Sequence, residues 1–335
     1  MLCALAAGIA VAAVDGKRLR EGRACLSSTT PLLAPLLGGG APFPSLATSA
    51  SAPPFGGRLG THNSYRRASS LASPPPAWRI EQPPLDTQVA LGARCFELDL
   101  HYGALVYHVA TLDERSHCRC VFDCLEALTN ATSDTLWILL ELKDDFDTRF
   151  WRLGFGDGAL AAIDALAAAF VARLGTRLFW PRDLVATLGG YASPDDTLRD
   201  ALARAGAWPS ATAAPLQGCV VLVLMGESVY ALPRHDARSP LSARTTSPFF
   251  VMFQNGSAAL RASEPQFAIT TVTEPWSPEI DENAALGVAV RTYGDDSNYS
   301  FNSSRLLTAF SSRASFVTTD FLANATEILS NKKIK

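Results

Sequence analysis

Excess charge of either sign is missing from this 335-residue chain, which sets 32 Asp and Glu against 29 Lys and Arg for a formal net charge of −3. That balance gives no reason to expect nucleic acid or strong attraction to anionic membranes. Long apolar runs are missing as well. Beyond the N-terminus none reaches the roughly 18 residues of a membrane-spanning helix, so no span is expected and the mature protein should be soluble. Cysteine is sparse, at seven residues, too few for a disulfide scaffold in a chain of this length. No Gly-rich phosphate loop follows any apolar run, which argues against an open nucleotide-binding sheet. No G-x-S-x-G elbow exists, so a hydrolase serine is unsupported. What is present, a hydrophobic content of 48%, is enough to bury a sizeable core.

The N-terminal run Met1 to Val14 is apolar, stops at Asp15 and offers Ala10 and Ala12 as small-residue cleavage positions. It reads as a secretory signal that lacks a basic n-region. Five Asn-x-Ser/Thr sequons, at Asn130, Asn255, Asn298, Asn302 and Asn324, fit a secreted or lumenal glycoprotein. Residues 15–55 are rich in Ser, Ala, Pro and Gly and read as a low-complexity linker. Cys118, Cys120 and Cys124 cluster beside His117, but their spacing matches no common zinc site. A local disulfide such as Cys118–Cys124 is the expectation for a secreted protein. Cys95 and Cys219, inside apolar runs, read as core thiols.

From Gly57 onward short apolar runs alternate with helical or polar stretches. Strands are expected at 57–62, 93–100, 104–109, 135–143, 177–180, 219–225, 249–254, 287–293 and 315–320. Helices are expected at 158–174, 197–205 and 281–286, each followed by glycine. Alternation of this kind predicts a parallel sheet, and about eight such strands predict one closed α/β domain over 56–325, a (β/α)8 TIM-like barrel. The run 104–109 follows its neighbour too closely for a crossover and fits a hairpin at the barrel mouth.

Four segments carry the chemistry: Gly60-Thr61-His62-Asn63-Ser64-Tyr65, Glu97-Leu98-Asp99, His108, and Glu141-Leu142-Lys143. Strand alternation puts Glu97 and Asp99 on one face, and likewise Glu141 and Lys143. Three carboxylates held close together repel unless a proton or a cation sits between them. Oxygen donors from Glu97, Asp99, Glu141 and the Asn63 amide suit Ca²⁺ or Mg²⁺ better than zinc. His62 and His108 would flank that metal as general acid and base. In a barrel such groups belong at the C-terminal strand ends, where active sites form.

These segments, GTHNSYR (60–66), LDTQVALGARCFELDLH (85–101), LVYHV (105–109), CVFDCLEAL (120–128) and LWILLELKDD (136–145), resemble the calcium-dependent phosphoinositide phospholipase C family in its small single-domain form. The likeness continues through FWPRDL (179–184), TLRDALARAGAWPS (197–210), GVAVRTYGD (287–295) and FVTTDF (316–321), in order. It implies a TIM-like phosphodiesterase that cleaves phosphatidylinositol-type lipids at a membrane surface to diacylglycerol and a cyclic inositol phosphate. By position it implies His62 and His108 as the catalytic histidines, and Asn63, Glu97, Asp99 and Glu141 as calcium ligands. It implies Lys143 and Arg291 as phosphate or headgroup contacts. Arg66 departs from the family pattern, which often carries His there. Magnesium is the alternative metal. The alternative activities are glycerophosphodiester or sphingomyelin hydrolysis on the same barrel, or a silent headgroup-binding module. Trp151 and Phe155 are candidate apolar rim residues, His101 a candidate support for a ligand, and Asp295 and Asp296 a solvated loop.

Overall fold

The computed structural model describes residues 17–18, 20–27, 58–101, 104–109, 115–143, 156–193, 196–210, 215–225, 247–296 and 299–331. The strands are β1 (Arg58–Thr61), β2 (Cys95–His101), β3 (Leu105–Val106), β4 (Leu136–Leu142), β5 (Val220–Met225), β6 (Phe249–Gln254), β7 (Ile269–Thr271), β8 (Ala289–Tyr293) and β9 (Phe316–Thr319). Their order is β1-β9-β8-β7-β6-β5-β4-β2-β3, and β1 also pairs with β2. All pairings except β2–β3 are parallel, so eight strands close on themselves into a (β/α)8 barrel. The hairpin expected at 104–109 is present. Its strand β3 pairs antiparallel with the C-terminal end of β2, placing Val106 beside Leu100 and Leu105 beside His101.

Two strand assignments change. The sixth barrel strand in chain order is Ile269–Thr271, whose three Thr-rich residues show no apolar run in the sequence. The segment 177–180 is not a barrel strand. Leu178 makes only an isolated bridge to Val220, and the Phe179 N–H donates to the Val220 carbonyl at 3.0 Å. Its apolar character serves to seal the N-terminal end of the barrel, where the Phe179 ring stacks on Phe250.

Alternation along the strands divides the core in two. Phe96, Leu98, Ile138, Leu140 and Leu222 face outward. They pack against α1 (Val121–Ala131) and α2 (Gly156–Leu174) through Leu125, Leu128, Leu166 and Phe170. Cys95, Trp137, Leu139, Val221, Phe250 and Phe316 fill the interior. Trp137 is fully buried against Trp208 and Phe316, and truncating it to Ala should cost about 3–5 kcal/mol. Gly60 is fixed by the closing of the barrel. A Cβ there would lie 2.8 Å from the Cys95 Cβ, so β1 and β2 meet only if position 60 has no side chain.

Within 15–55, read from composition as a linker, residues 17–18 and 20–27 are helical, and Cys25 forms a disulfide with Cys120. The second disulfide is Cys118–Cys124, as expected, and Cys95 and Cys219 are free. The run 1–14 and the rim candidates Trp151 and Phe155 lie outside the described residues. Among the described residues no helix is long and apolar enough to cross a membrane.

Candidate active site

The C-terminal strand ends bring together groups that are far apart in sequence. His62 directly follows β1, and its N–H donates to the Thr319 carbonyl at 3.1 Å, fastening the end of β1 to that of β9. The His62 Nδ1 lies 3.0 Å from the Asp320 carboxylate and its Nε2 lies 3.5 Å from that of Glu97. Burial alone would lower the pKa of this imidazole. The Asp320 and Glu97 carboxylates outweigh that effect and raise it to about 9.

Asn63 follows with φ 48°, a left-handed conformation that Asn adopts more readily than most residues. The turn lets the Arg66 N–H donate to the Asn63 carbonyl and the Ser64 N–H to that of Glu97. The Asn63 Nδ2 lies 3.3 Å from the His62 ring, and its Oδ1 accepts the Tyr65 hydroxyl at 3.1 Å. Tyr65 is fully buried. Burial and the nearby Asp99 push its pKa well above the usual phenol range.

On β2, Glu97 is ion-paired to the fully buried Arg291 guanidinium. Burial would raise the Glu97 pKa, but Arg291, His62 and Lys143 together hold it down. Arg291 also donates to the Thr318 hydroxyl and lies 4.6 Å over the Tyr293 ring. The resemblance implied a headgroup contact for Arg291. Its complete burial places it beneath the mouth, as the counter-charge of Glu97. Lys143, just past β4, sits 2.9 Å from the Asp99 carboxylate and 2.9 Å from that of Glu141. Burial, Asp99 and Glu97 raise the Glu141 pKa. Burial would lower that of Lys143, but Asp99 and Glu141 raise it above the ordinary lysine value.

Glu97, Asp99 and Glu141 each present an oxygen within 4.8 Å of the others. Asp99 is wholly buried, and its counter-charge here is the Lys143 ammonium at 2.9 Å. A buried carboxylate needs a cation at that place. Hard oxygen donors at this spacing, with Asn63 alongside, fit Ca²⁺.

His108 lies two residues beyond β3, half-buried, on the hairpin that lines β2. His101 stacks on Tyr107 with ring centroids 3.9 Å apart. The His117 Nε2 donates to the Gln82 carbonyl at 2.8 Å. Arg66 is buried.

Three residues to which sequence reasoning gave no catalytic role complete the site. Asp320 directly follows β9, and its position just past a barrel strand was the available signal. Asp295, expected in a solvated loop, is buried instead. It accepts the Asp320 N–H at 2.5 Å and the Thr319 hydroxyl at 2.8 Å. Burial raises its pKa to about 6 against those two hydrogen bonds. Tyr293 meets the His62 ring edge-on at 5.7 Å, and burial pushes its own pKa up to about 12. A cavity of about 570 Å³, lined by Arg67, Gln82, His117 and Phe321 among others, touches the site through Asp320.

A closed (β/α)8 barrel with His62 and clustered carboxylates at its mouth is a phospholipase-C-like phosphodiesterase fold. Over residues 101–335 the sequence matches the family model of Ca²⁺-dependent phosphoinositide phospholipase C, and the chain belongs to that family. His62, Asn63, Glu97 and Asp99 precede the matched stretch, so their placement rests on the geometry above. The fold is similar to the calcium-dependent phosphoinositol-specific phospholipase C of a Gram-negative bacterium, Pseudomonas sp., in its apo form. That likeness has a TM-score of 0.58 and 17% identity, covering 82% of this chain and 92% of that one. The myoinositol complex of the Pseudomonas protein gives a TM-score of 0.57 at 15% identity over the same shares. No curated protein matches the chain significantly.

Proposed function

We propose that this protein is a calcium-dependent phosphodiesterase that cleaves phosphatidylinositol-type lipids to diacylglycerol and a cyclic inositol phosphate. The observation that carries the reading is His62, held between Asp320 and Glu97 at the edge of the Glu97–Asp99–Glu141 cluster. Glu97, Asp99, Glu141 and Asn63 would hold the calcium. Bound there, the metal would neutralise phosphoryl oxygen charge and make the inositol 2-hydroxyl more acidic.

The protein's own groups do the rest. Asp320 orients the His62 ring through Nδ1 and keeps it cationic at neutral pH, which suits it to stabilise negative charge that develops on the phosphoryl group. His108 protonates the diacylglycerol oxygen as it leaves. Glu97 is a poor proton acceptor, because Arg291 and His62 stabilise its charged form. The proton of the inositol 2-hydroxyl therefore passes to Glu141, whose pKa burial and Asp99 raise. Lys143 supplies a positive charge at the phosphate end of the site. The lipid is met at a membrane surface by the loops of the mouth. Among them, the Trp276 loop after β7 is prominent, with the indole 64% exposed. The two disulfides support a secreted or lumenal setting.

The test is to incubate the purified protein with phosphatidylinositol, glycerophosphoinositol and sphingomyelin, each with calcium, magnesium or chelator. Cyclic inositol phosphate that forms only with calcium supports the reading. Release of glycerol phosphate or phosphocholine in its place, or turnover that persists in chelator, overturns it.

A further inference from the structure

The strongest cation already within the carboxylate cluster belongs to the protein. The Lys143 ammonium lies 2.9 Å from one oxygen of Asp99 and 2.9 Å from one of Glu141. These are two of the three groups whose oxygens could share a metal. Calcium binds its oxygens at about 2.3–2.6 Å. An ion held by the same two oxygens would therefore lie within about 5.5 Å of the ammonium where it now stands. Three positive charges would then share a space in which Asp99 is wholly buried and Glu141 and Lys143 are each about three-quarters covered. Like charges so close and so poorly solvated repel strongly. Nothing else within the cluster can take the ammonium's part, since the Arg291 guanidinium is committed to Glu97.

We infer that Lys143 is a resident stand-in cation, which neutralises Asp99 and Glu141 in the metal-free protein and must swing away from them before calcium can be held there. The inference rests on the reading of these carboxylates as the calcium site. Calcium binding is on this account an exchange of one cation for another, with no stage at which the carboxylates face each other bare. It also gives the lysine two positions, one on the carboxylates and one displaced toward the open mouth, where an anionic phosphate would be its next partner. The exchange weakens apparent calcium affinity, because part of the metal's binding energy is spent on breaking two ion pairs.

Calorimetric titration of calcium into the full chain, without substrate, tests this. Lys143→Met keeps the length of the side chain and removes the charge, and should tighten calcium binding about tenfold or more. Lys143→Arg keeps the charge and should stay within about threefold of the wild type. The metal-free melting temperature of Lys143→Met should fall, and its rise on adding calcium should exceed that of the wild type. Should Lys143→Met fail to fold, the wild type still decides. Amine-reactive labelling followed by mass spectrometry should modify Lys143 several-fold faster with calcium than with chelator, because the displaced amine is no longer covered between Asp99 and Glu141. Wild-type binding that Lys143→Met leaves unchanged or weakens, or labelling that slows with calcium, overturns the inference and leaves the calcium site standing. No calcium binding by the wild type or either variant overturns the site and the inference together.

Discussion

His62 and Asp320 are 258 residues apart in sequence, and their side chains meet at 3.0 Å where the first and last strands of the barrel lie side by side. The contact depends on the β1–β9 register, which sets Thr61 beside Thr319 and so sends the next residue of each strand to the same place. Replacing Asp320 with Asn should leave the ring in place and remove the charge that favours imidazolium. The His62 pKa should then fall from about 9 toward 6.5, and turnover should drop by about 10²-fold or more. Histidine NMR titration and initial rates check the two effects; an unchanged titration would remove Asp320 from this role.

The same raised pKa links stability to pH. A group whose pKa is higher in the folded protein stabilises fully below its unfolded value, here 6.5, and that contribution is lost as pH rises through about 9. In chelator the protein should therefore lose at most about 3 kcal/mol between pH 6 and pH 10 from this group. Urea unfolding of the wild type beside His62→Ala checks it, since the variant should show a flatter dependence over that window.

Asp295 acts in the opposite direction to an ordinary carboxylate. Its pKa is raised to about 6 from 3.8, so the folded state holds its proton more tightly than the unfolded chain does. Its contribution should be most favourable below pH 3.8 and should decline as pH rises through about 6. Asp295→Asn should therefore shift the acid side of the stability profile, measured by melting temperature between pH 4 and pH 7, while leaving the alkaline loss due to His62 in place.

Trp276 is held by the Arg305 guanidinium 4.9 Å from its ring, and Arg305 in turn pairs with Glu274. The indole is thus exposed yet braced. Trp276→Ala should lower activity on phosphatidylinositol vesicles by about tenfold and leave hydrolysis of a soluble inositol phosphodiester unchanged. Equal losses on both substrates would assign the side chain to the site itself.

The Cys25–Cys120 disulfide closes a loop of 95 residues. Cys25→Ser should cost about 2–4 kcal/mol of stability through the freed unfolded chain, read as a lower urea midpoint. If the variant melts like the wild type, the helical segment 20–27 contributes nothing to the stability of the barrel.

The fold was legible wherever a strand is buried on both faces. Runs such as Leu136–Leu142 and Val220–Met225 are continuous apolar stretches because helices cover one side and the barrel interior the other. Ile269–Thr271 escaped notice because three residues, two of them Thr, give no periodicity. Leu178-Phe179 misled because an apolar plug and an apolar strand look alike in sequence. In the site, strand alternation set Glu97 with Asp99 and Glu141 with Lys143 on common faces, and four such segments occurring together at strand ends made the cluster legible. The resemblance implies a phosphate or headgroup contact for Arg291, and its sequence position does not reveal how deep in the barrel its register sets it. Asp295 and Asp320 depend on the β8–β9 and β1–β9 pairings, which no local pattern encodes.

The barrel seam has a consequence for how the protein is made. A chain growing from its N-terminus has all of β1 to β8, and with them the carboxylate cluster, before β9 exists. Until Phe316–Thr319 slots between β8 and β1, His62 has neither the Thr319 carbonyl to hold its backbone nor Asp320 to charge its ring. The proposed catalytic centre is therefore completed by the last strand synthesised, and a chain that stops short of β9 lacks the partners that hold and charge His62.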